Sequence, residues 1–401
     1  MFIWALILSA VEMAALPVLF VVAWVARRRD KPIDVGLGPE PLINNIYHKR
    51  ALVARGYRAE TFVSSVSFIT GAFDVRADRM LAWLPSIVLR AHLVSLLLAI
   101  RVLWRYRAIY ISFNGGPLGS GTLWLWRFEP KLLRAGGVRS LILPYGSDVQ
   151  DMQLSPNLHF KHAKSQDYPT DRRRIGTVKR QVRLWTRQAT HIIGGCEWVD
   201  YMGHWDTLML AHFSIDTTWW SDDAPPAPAE DRPLRILHAP NHRTIKGTRF
   251  FIEAVEQLRA EGCPVELILL ERVPNDRVRD TIRSADVIAD QLIVGWYAMF
   301  ALEGMAMCKP VLCYLRPDLK ALYERAGLIS PGEIPIVECT PETVKAAIRD
   351  LVERRSELPA LGRRSREYAI RHHSLDAIGA VFDRINRKMG VDPKGPASGS
   401  A

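Results

Sequence analysis

Five cysteines are few for 401 residues and odd in number. Cys196, Cys263, Cys308, Cys313 and Cys339 show no Cys-x-x-Cys spacing and no adjoining histidine cluster, so a complete disulfide framework is excluded and no zinc site is suggested. A reducing compartment is the simplest setting. No Asp-x-Asp pair lies in a loop where it would seat Mg²⁺ or Mn²⁺, and no repeat of short solenoid period runs through the chain. Glycine and proline, 26 and 25, are ordinary in number, and 48% of residues are hydrophobic, which excludes disordered and collagen-like chains. Acidic residues are in deficit: 42 Asp and Glu face 53 Lys and Arg, for a net charge of +11. Such an excess suits nucleic acid, an anionic membrane or a phosphorylated ligand, and only its placement separates them. At roughly 150 residues per domain the length predicts two or three domains.

Between residues 2 and 26 the one ionisable side chain is Glu12. As a helix this run would extend about 37 Å, enough to cross a bilayer with some tilt. A cleaved signal peptide is the alternative, but no basic segment precedes the apolar run and no convincing small-residue cleavage site follows it. Arg27, Arg28 and Arg29 then place the remaining chain in the cytoplasm by the positive-inside rule, with Trp4 and Trp24 near the two interfaces. Glu12 and Pro17 are unusual in a lone span. A second apolar stretch, 80–104, is interrupted by Pro85, Arg90 and Arg101; it reads equally as a helix lying on the membrane surface or as a core helix.

The rest alternates short apolar runs with helical stretches, the pattern of α/β units with parallel sheets. Strands are predicted at 33–37, 59–63, 108–113, 140–143, 191–193 and 207–210, with helices at 46–55, 123–134 and 176–187. Residues 217–233 (TTWWSDDAPPAPAEDRP) break the pattern as a linker. A second series follows, with strands at 235–239, 265–270, 287–289, 311–314 and 334–337 and helices between and after them, the last at 377–388. The expected organisation is a transmembrane anchor with a basic flank (1–29), a Rossmann-like domain (30–216), the linker, a second Rossmann-like domain (234–390) and a frayed tail (391–401). Open α/β sheets bind ligands beyond the carboxyl ends of their strands, so two doubly wound domains would face each other across a cleft.

The most informative run is LHAPNHRTIKGT, 237–248, between the first strand and first helix of the second series. Arg243 and Lys246, followed by Gly247, would project beside the amides of a helix amino terminus, a setting suited to a diphosphate. The plain alternative is two solvated cations. A strand ending at Asp290-Gln291, a loop at Gly295 and a helix carrying Glu303 follow. A cleft-facing carboxylate there can accept hydrogen bonds from both hydroxyls of a ribose.

An Arg-x-x-Lys-Gly loop, an Asp-ended strand and the segment Leu-Glu-Gly-Met-Ala-x-x-Lys-Pro-Val at 302–311 resemble the carboxyl-terminal domain of the group 1 glycosyltransferases. These are retaining, nucleotide-sugar-dependent enzymes of the GT-B fold. The resemblance covers about 235–390. It implies that Arg243 and Lys246 hold the donor diphosphate and that Glu303, matching the second Glu of a Glu-x7-Glu motif, holds the ribose. It also implies metal-independent chemistry with no cofactor, the two cations taking the electrostatic part of a metal. The motif's first Glu falls on Gly295, so its contact to the donor sugar must come from elsewhere, with Asp290 and Gln291 nearby, or be missing.

The first half resembles the family's acceptor domain more loosely. Asn114-Gly115-Gly116 and Gly146-Ser147-Asp148 sit at strand ends, where glycine lets backbone approach a ligand. Asp148 is the leading acceptor-side candidate, and Glu40 in the 36–45 loop is either a general base or a helix-dipole partner. The basic run Arg172, Arg173, Arg174, Lys179, Arg180, Arg183 and Arg187 reads as a solvated helix face or as a dock for anionic lipid headgroups, ahead of nucleic acid. The expected activity is transfer of a sugar from a nucleotide-diphosphate donor to a membrane-associated acceptor, a lipid-linked or cell-envelope glycan. The alternatives are a catalytically silent relative acting as a scaffold and, more remotely, a sugar-nucleotide epimerase.

Overall fold

The structure is a computed structural model and describes residues 2–66, 71–119, 121–222, 227–271, 273 and 275–395. Among them, seven strands form the first sheet: β1 (Ile33–Leu37), β2 (Ala59–Val63), β3 (Val75–Arg76), β4 (Tyr106–Ile111), β5 (Arg139–Ile142), β6 (His191–Gly194) and β7 (Thr207–Leu208). They run in the order β3-β2-β1-β4-β5-β6-β7. Five form the second: β8 (Leu234–His238), β9 (Val265–Leu269), β10 (Val287–Ala289), β11 (Val311–Cys313) and β12 (Ile336–Glu338), in the order β12-β11-β10-β8-β9. Every pairing is parallel. The central strands β4 and β10 are apolar and buried almost throughout, as parallel strands covered by helices on both faces must be. Each sheet therefore reverses its strand order once, between β1 and β4 and between β8 and β10, and the ends of those strands open a crevice.

Helices α1 (Phe2–Ala26), α2 (Ile43–Val53), α3 (Ile87–Arg105), α4 (Glu129–Ala135), α5 (Leu158–Asp167) and α6 (Ile175–Gln188) belong to the first half. The second half holds α7 (Arg243–Lys246), α8 (Thr248–Ala260), α9 (Asn275–Ser284), α10 (Met299–Ala306), α11 (Pro317–Arg325), α12 (Val344–Glu353), α13 (Leu358–His373) and α14 (Leu375–Lys388). Sequence patterning misses β3, α5 and α13. Helix α13 packs on α10 through Gly362, Ser365 and Ala369, small residues that leave no apolar stripe to detect. A Cβ on Gly362 would stand 2.0 Å from the Cys308 carbonyl oxygen, so the close helix approach requires glycine there.

The chain end departs from expectation. Helix α14 crosses to the first sheet, where Ile378, Phe382, Ile385, Met389 and Val391 share one apolar cluster with Val35, Leu37, Tyr110 and Leu141. Tyr110 donates to Asn386 Oδ1 (2.9 Å) and Tyr57 to Asp383 Oδ1 (2.7 Å). Residues 391–395, expected to fray, are bound instead: Arg107 donates to the Asp392 carbonyl (2.6 Å) and Arg58 to that of Gly395 (3.0 Å). Residues 396–401 lie outside the described residues. In the 217–233 segment Trp220 is fully buried and donates to the Tyr47 hydroxyl (2.9 Å), so that end of the expected linker is part of the first domain's packing. Residues 223–226 of that linker lie outside the described residues.

Helices α1 and α3 are both long and apolar enough to cross a membrane. They pack together, and α1 also packs on α4. Helix α3 is part of the core along one side, where Val94, Leu98, Val102 and Leu103 are buried, while Ile87, Val88 and Leu97 are exposed. Glu12 is fully buried; it accepts from the Leu123 N–H (2.6 Å) and from those of Trp124 and Leu125 (both 3.0 Å). His92 Nε2 lies 3.3 Å from the same carboxylate. The residue that is odd for a lone span is thus the clasp between α1 and the domain. Glu12→Leu should lower stability by about 2–3 kcal/mol, because amide donors next to a core then lose their acceptor, while Glu12→Gln should lose less. Thermal unfolding of the detergent-solubilised chain measures this, and equal melting of Glu12→Leu and parent would disprove the clasp.

Candidate active site

The second sheet reverses where β8 and β10 part, and the loops leaving those strands carry the expected donor residues. After β8 the chain makes the single turn of α7, passes through Gly247 at φ +73° and enters α8. This path turns Lys246 inward, and its ammonium lies 2.7 Å from Asp290 Oδ1, both side chains being nearly sealed from solvent. Asp290 Oδ2 accepts the Ala298 N–H (2.9 Å). Glu303, one turn into α10, is also buried, and its carboxyl is pushed up to about 8 by burial and by Asp290, against the pull of Lys246. With Glu303 neutral, Lys246 and Asp290 balance each other. Arg243 diverges from Lys246: it is exposed and grips Glu271 through two bonds, Nε to Oε1 (2.8 Å) and Nη2 to Oε2 (2.7 Å).

Asp290 and Gln291 are not offered to a sugar. Asp290 is 1% exposed with both oxygens engaged, and buried Gln291 donates to the Trp296 carbonyl oxygen. They hold the β10 loop. Gly295 has φ +97°, and a Cβ on it would stand 2.5 Å from Arg316 Cγ and 2.6 Å from its Cδ. A glutamate could not be accommodated there without moving Arg316. That arginine, missed in the sequence although it follows a strand end, pairs with Asp318 on its own domain and with Asp200 on the other.

Further contacts join the halves. Asn157 donates to the Ile293 carbonyl (2.8 Å), the Ile245 N–H to Asp167 Oδ2 (2.9 Å) and Tyr323 to the Cys196 carbonyl (2.7 Å). The Tyr168 hydroxyl is bonded to His242 Nε2.

On the first sheet the reversal lies between β1 and β4, and Glu40, Ser112 and Asn114 meet there. Glu40 Oε1 accepts from Ser112 Oγ (2.7 Å) and Asn114 Nδ2 (3.3 Å), and Asn114 also donates to the Tyr145 hydroxyl (2.8 Å). Desolvation pushes the Glu40 carboxyl up to about 7, opposed by the Ser112 bond and aided by Asp148. Asp148 itself cannot contact an acceptor. It is fully buried and accepts from the N–H groups of Phe113 (3.0 Å), Tyr145 and Gly146 (both 2.9 Å), so it ties two strand ends together. Gly115 and Gly116 likewise make room for protein: added Cβ atoms would meet the Glu129 carboxylate at 2.9 and 2.8 Å. That buried acid, unmarked in the sequence, accepts from the Gly116 and Leu118 N–H groups (2.9 Å each). Ser147 lines a cavity of about 470 Å³. The buried histidines serve backbone and hydroxyl groups: His238 contacts the Ala289 carbonyl and Thr248, His212 the Pro144 carbonyl, and His48 the His212 carbonyl.

Two predictions follow the burial pattern. Arg243→Ala should change stability by no more than about 1 kcal/mol, because exposed ion pairs contribute little. Lys246→Ala should cost about 3–5 kcal/mol by stranding Asp290, and urea denaturation ranks the two. Because the folded value of Glu303 lies above its ordinary 4.5, the neutral acid is the form the fold favours. Its contribution is complete below about 4.5 and lost as pH rises through about 8. Glu303→Gln should therefore gain stability relative to the parent across that window, whereas parallel pH profiles would show that Glu303 is already ionised.

The chain matches no protein-family model and no curated protein sequence. Solved structures match it over most of its length. HepE of Anabaena, crystallised with UDP-glucose, is 12% identical with a TM-score of 0.54, over 89% of this chain and 100% of its own. Sucrose-phosphate synthase from Thermosynechococcus elongatus is 13% identical with a TM-score of 0.56, over 90% and 99%. An alpha-glucosyltransferase crystallised with UDP and a mismatch-containing DNA is 10% identical with a TM-score of 0.53, over 88% and 99%. Identities this low speak for architecture alone, and the architecture agrees over almost nine-tenths of the chain: it has the GT-B fold.

Proposed function

We propose that the protein is a membrane-anchored glycosyltransferase that moves a sugar from a nucleotide-diphosphate donor to an acceptor at the membrane, a lipid-linked or cell-envelope glycan. The observation that carries this reading is the group at the second sheet's reversal: Lys246, Asp290 and Glu303 buried together, with Arg243 on the same loop. When the bond between the sugar's anomeric carbon and the diphosphate oxygen breaks, charge develops on the departing diphosphate. Arg243, swinging from Glu271, and Lys246 are the cations suited to receive it. Glu303 is suited to the ribose, its protonated carboxyl both donating and accepting. HepE was solved with UDP-glucose and the alpha-glucosyltransferase with UDP, consistent with a donor of this class. Across the cleft, Glu40 is the carboxyl suited to take the proton of the attacking acceptor hydroxyl. The anchor is α1, with the three arginines after it facing the cytoplasm.

A second reading has its own support. Arg316 fills the space beside Gly295 where the family resemblance expects a sugar-contacting glutamate, which suits a relative that binds nucleotide without transferring sugar.

Arg243→Ala should weaken nucleoside diphosphate binding about 10- to 100-fold, the loss of charge-assisted bonds, with folding intact. Calorimetry with UDP and the other nucleoside diphosphates measures it. Unchanged binding and transfer in Arg243→Ala/Glu303→Ala would reject the donor site, and binding without diphosphate release on membranes would favour the silent relative. If Glu40 is the base, kcat at saturating donor should rise with pH through about 7 and lose that rise in Glu40→Gln; the same rise in Glu40→Gln would remove it from the mechanism.

A further inference from the structure

The cavity of about 470 Å³ beside Ser147 lies in the size range of small-molecule sites. It is walled by the 147–152 loop, by α5 and by the 168–178 segment that enters α6. Four cations, Lys161, Lys164, Arg172 and Arg174, line it against one carboxylate, Asp171. Lys164 is 3% exposed, donates to Gln150 Oε1 (2.7 Å) and lies 3.4 Å from Asp171 Oδ2. Among the described residues, the side chains of Lys161, Arg172 and Arg174 have neither an ion pair nor a hydrogen bond. Four cations gathered around a concave space against one carboxylate, three of them unpaired, mark a place for an anion.

Two neighbours fix what such an anion would be attached to. Tyr168, in the wall, is bonded to His242, next to Arg243 on the donor loop. Ser147, also in the wall, follows the 145–146 turn, and the Tyr145 hydroxyl accepts from Asn114, the partner of Glu40. The cavity wall is therefore joined to the loop suited to the donor diphosphate through Tyr168 and to the surroundings of Glu40 through the 145–147 turn. Its wall residues Ile175 and Val178 begin α6, and Leu184 further along that helix packs in the cluster of Leu19 from α1 with Leu125 and Trp126.

We propose that this cavity binds a phosphate or diphosphate group carried by the acceptor, with Arg172 and Arg174 as the principal contacts. The proposal rests on the glycosyl-transfer reading for the word acceptor but concerns a separate set of side chains. A phosphate monoester carries about two charges and three acceptor oxygens, matching two guanidinium forks better than a single carboxylate would. The acceptor is then a phosphorylated molecule, and the shared wall with α6 favours one whose phosphate is joined to a lipid. The arginines expected to lie on one solvated face separate into two groups, all of them exposed: Arg172 and Arg174 line the cavity, and Arg180, Arg183 and Arg187 do not.

The test uses the full chain in neutral detergent, in the Arg243→Ala background, so that the donor loop contributes little. Inorganic pyrophosphate and, separately, phosphatidylcholine vesicles containing dihexadecyl phosphate are the probes. Adding Arg172→Ala and Arg174→Ala should weaken binding of the phosphate probe at least about tenfold, while Arg180→Ala/Arg183→Ala/Arg187→Ala should change it less than twofold. Binding to the vesicle alone identifies a lipid-borne phosphate, and equal binding of pyrophosphate identifies a soluble one. Loss of binding in the outer-face variant with none in the cavity variant would overturn the proposal in favour of general headgroup docking. In a chain with Arg243 restored, UDP affinity should be unchanged by the two cavity substitutions. Failure of UDP to bind would reject the donor reading without touching the cavity result.

Discussion

The buried pair between Lys246 and Asp290 fixes the second domain's ligand face. Strands β8 and β10 carry helices to opposite sides of the sheet, so their loops diverge, and a charge pair across the gap holds them at one spacing. Burying two ions is costly unless their remaining valences are filled. Asp290 meets that condition through the Ala298 N–H, which in turn sets the start of α10 and hence where Glu303 projects. Burial, aided by Asp290 and opposed by Lys246, raises the Glu303 carboxyl to about 8. Arg243 lies outside this arrangement, exposed and paired with Glu271.

The first domain uses the same device with backbone amides in place of a lysine. Asp148 draws together the ends of β4 and β5, and Glu129 supports the glycine turn after β4. Both carboxyls sit above their ordinary range, to about 6 and about 7, because burial outweighs the amide bonds they receive. Their consequence is positional. They leave Glu40 as the carboxyl at that reversal that is held by the side chains of Ser112 and Asn114.

Alternation of apolar runs and helical stretches made most strands and the two-sheet order of the chain legible, because parallel strands buried on both faces are written as continuous apolar segments. Arg243, Lys246 and Glu303 were legible through their spacing around a strand end. What the residues could not declare was direction. Asp148 and Asp290 have the composition of site residues but turn inward, since a carboxylate that satisfies backbone and one that meets a ligand look alike in a chain of letters. Arg316 reaches Asp200 in the other half and Glu129 serves amides more than ten residues away, and α13 hides its contact face in small residues. Gly115 and Gly116 gave the opposite error: room for a ligand was inferred where a protein carboxylate fills it.

The amino-terminal helix bears on how any acceptor reaches the site. An anchor on a flexible tether lets a soluble domain tumble above the membrane and sample acceptors at many angles. Here residues 27–32 alone separate α1 from β1, Ala23 and Ala26 belong to the first domain's core, and Glu12 is clasped by three amides of the 123–125 turn. Trp83, Ile87, Val88 and Leu123 leave apolar surface exposed on α3, the turn before it and the clasped turn. A helix so joined cannot cross a bilayer without holding the domain at a fixed height and tilt. Leu184 of α6 packs against the cluster that holds Leu19 of α1, and the same helix begins in the wall of the basic cavity, so a tilt imposed through α1 would be carried to that wall.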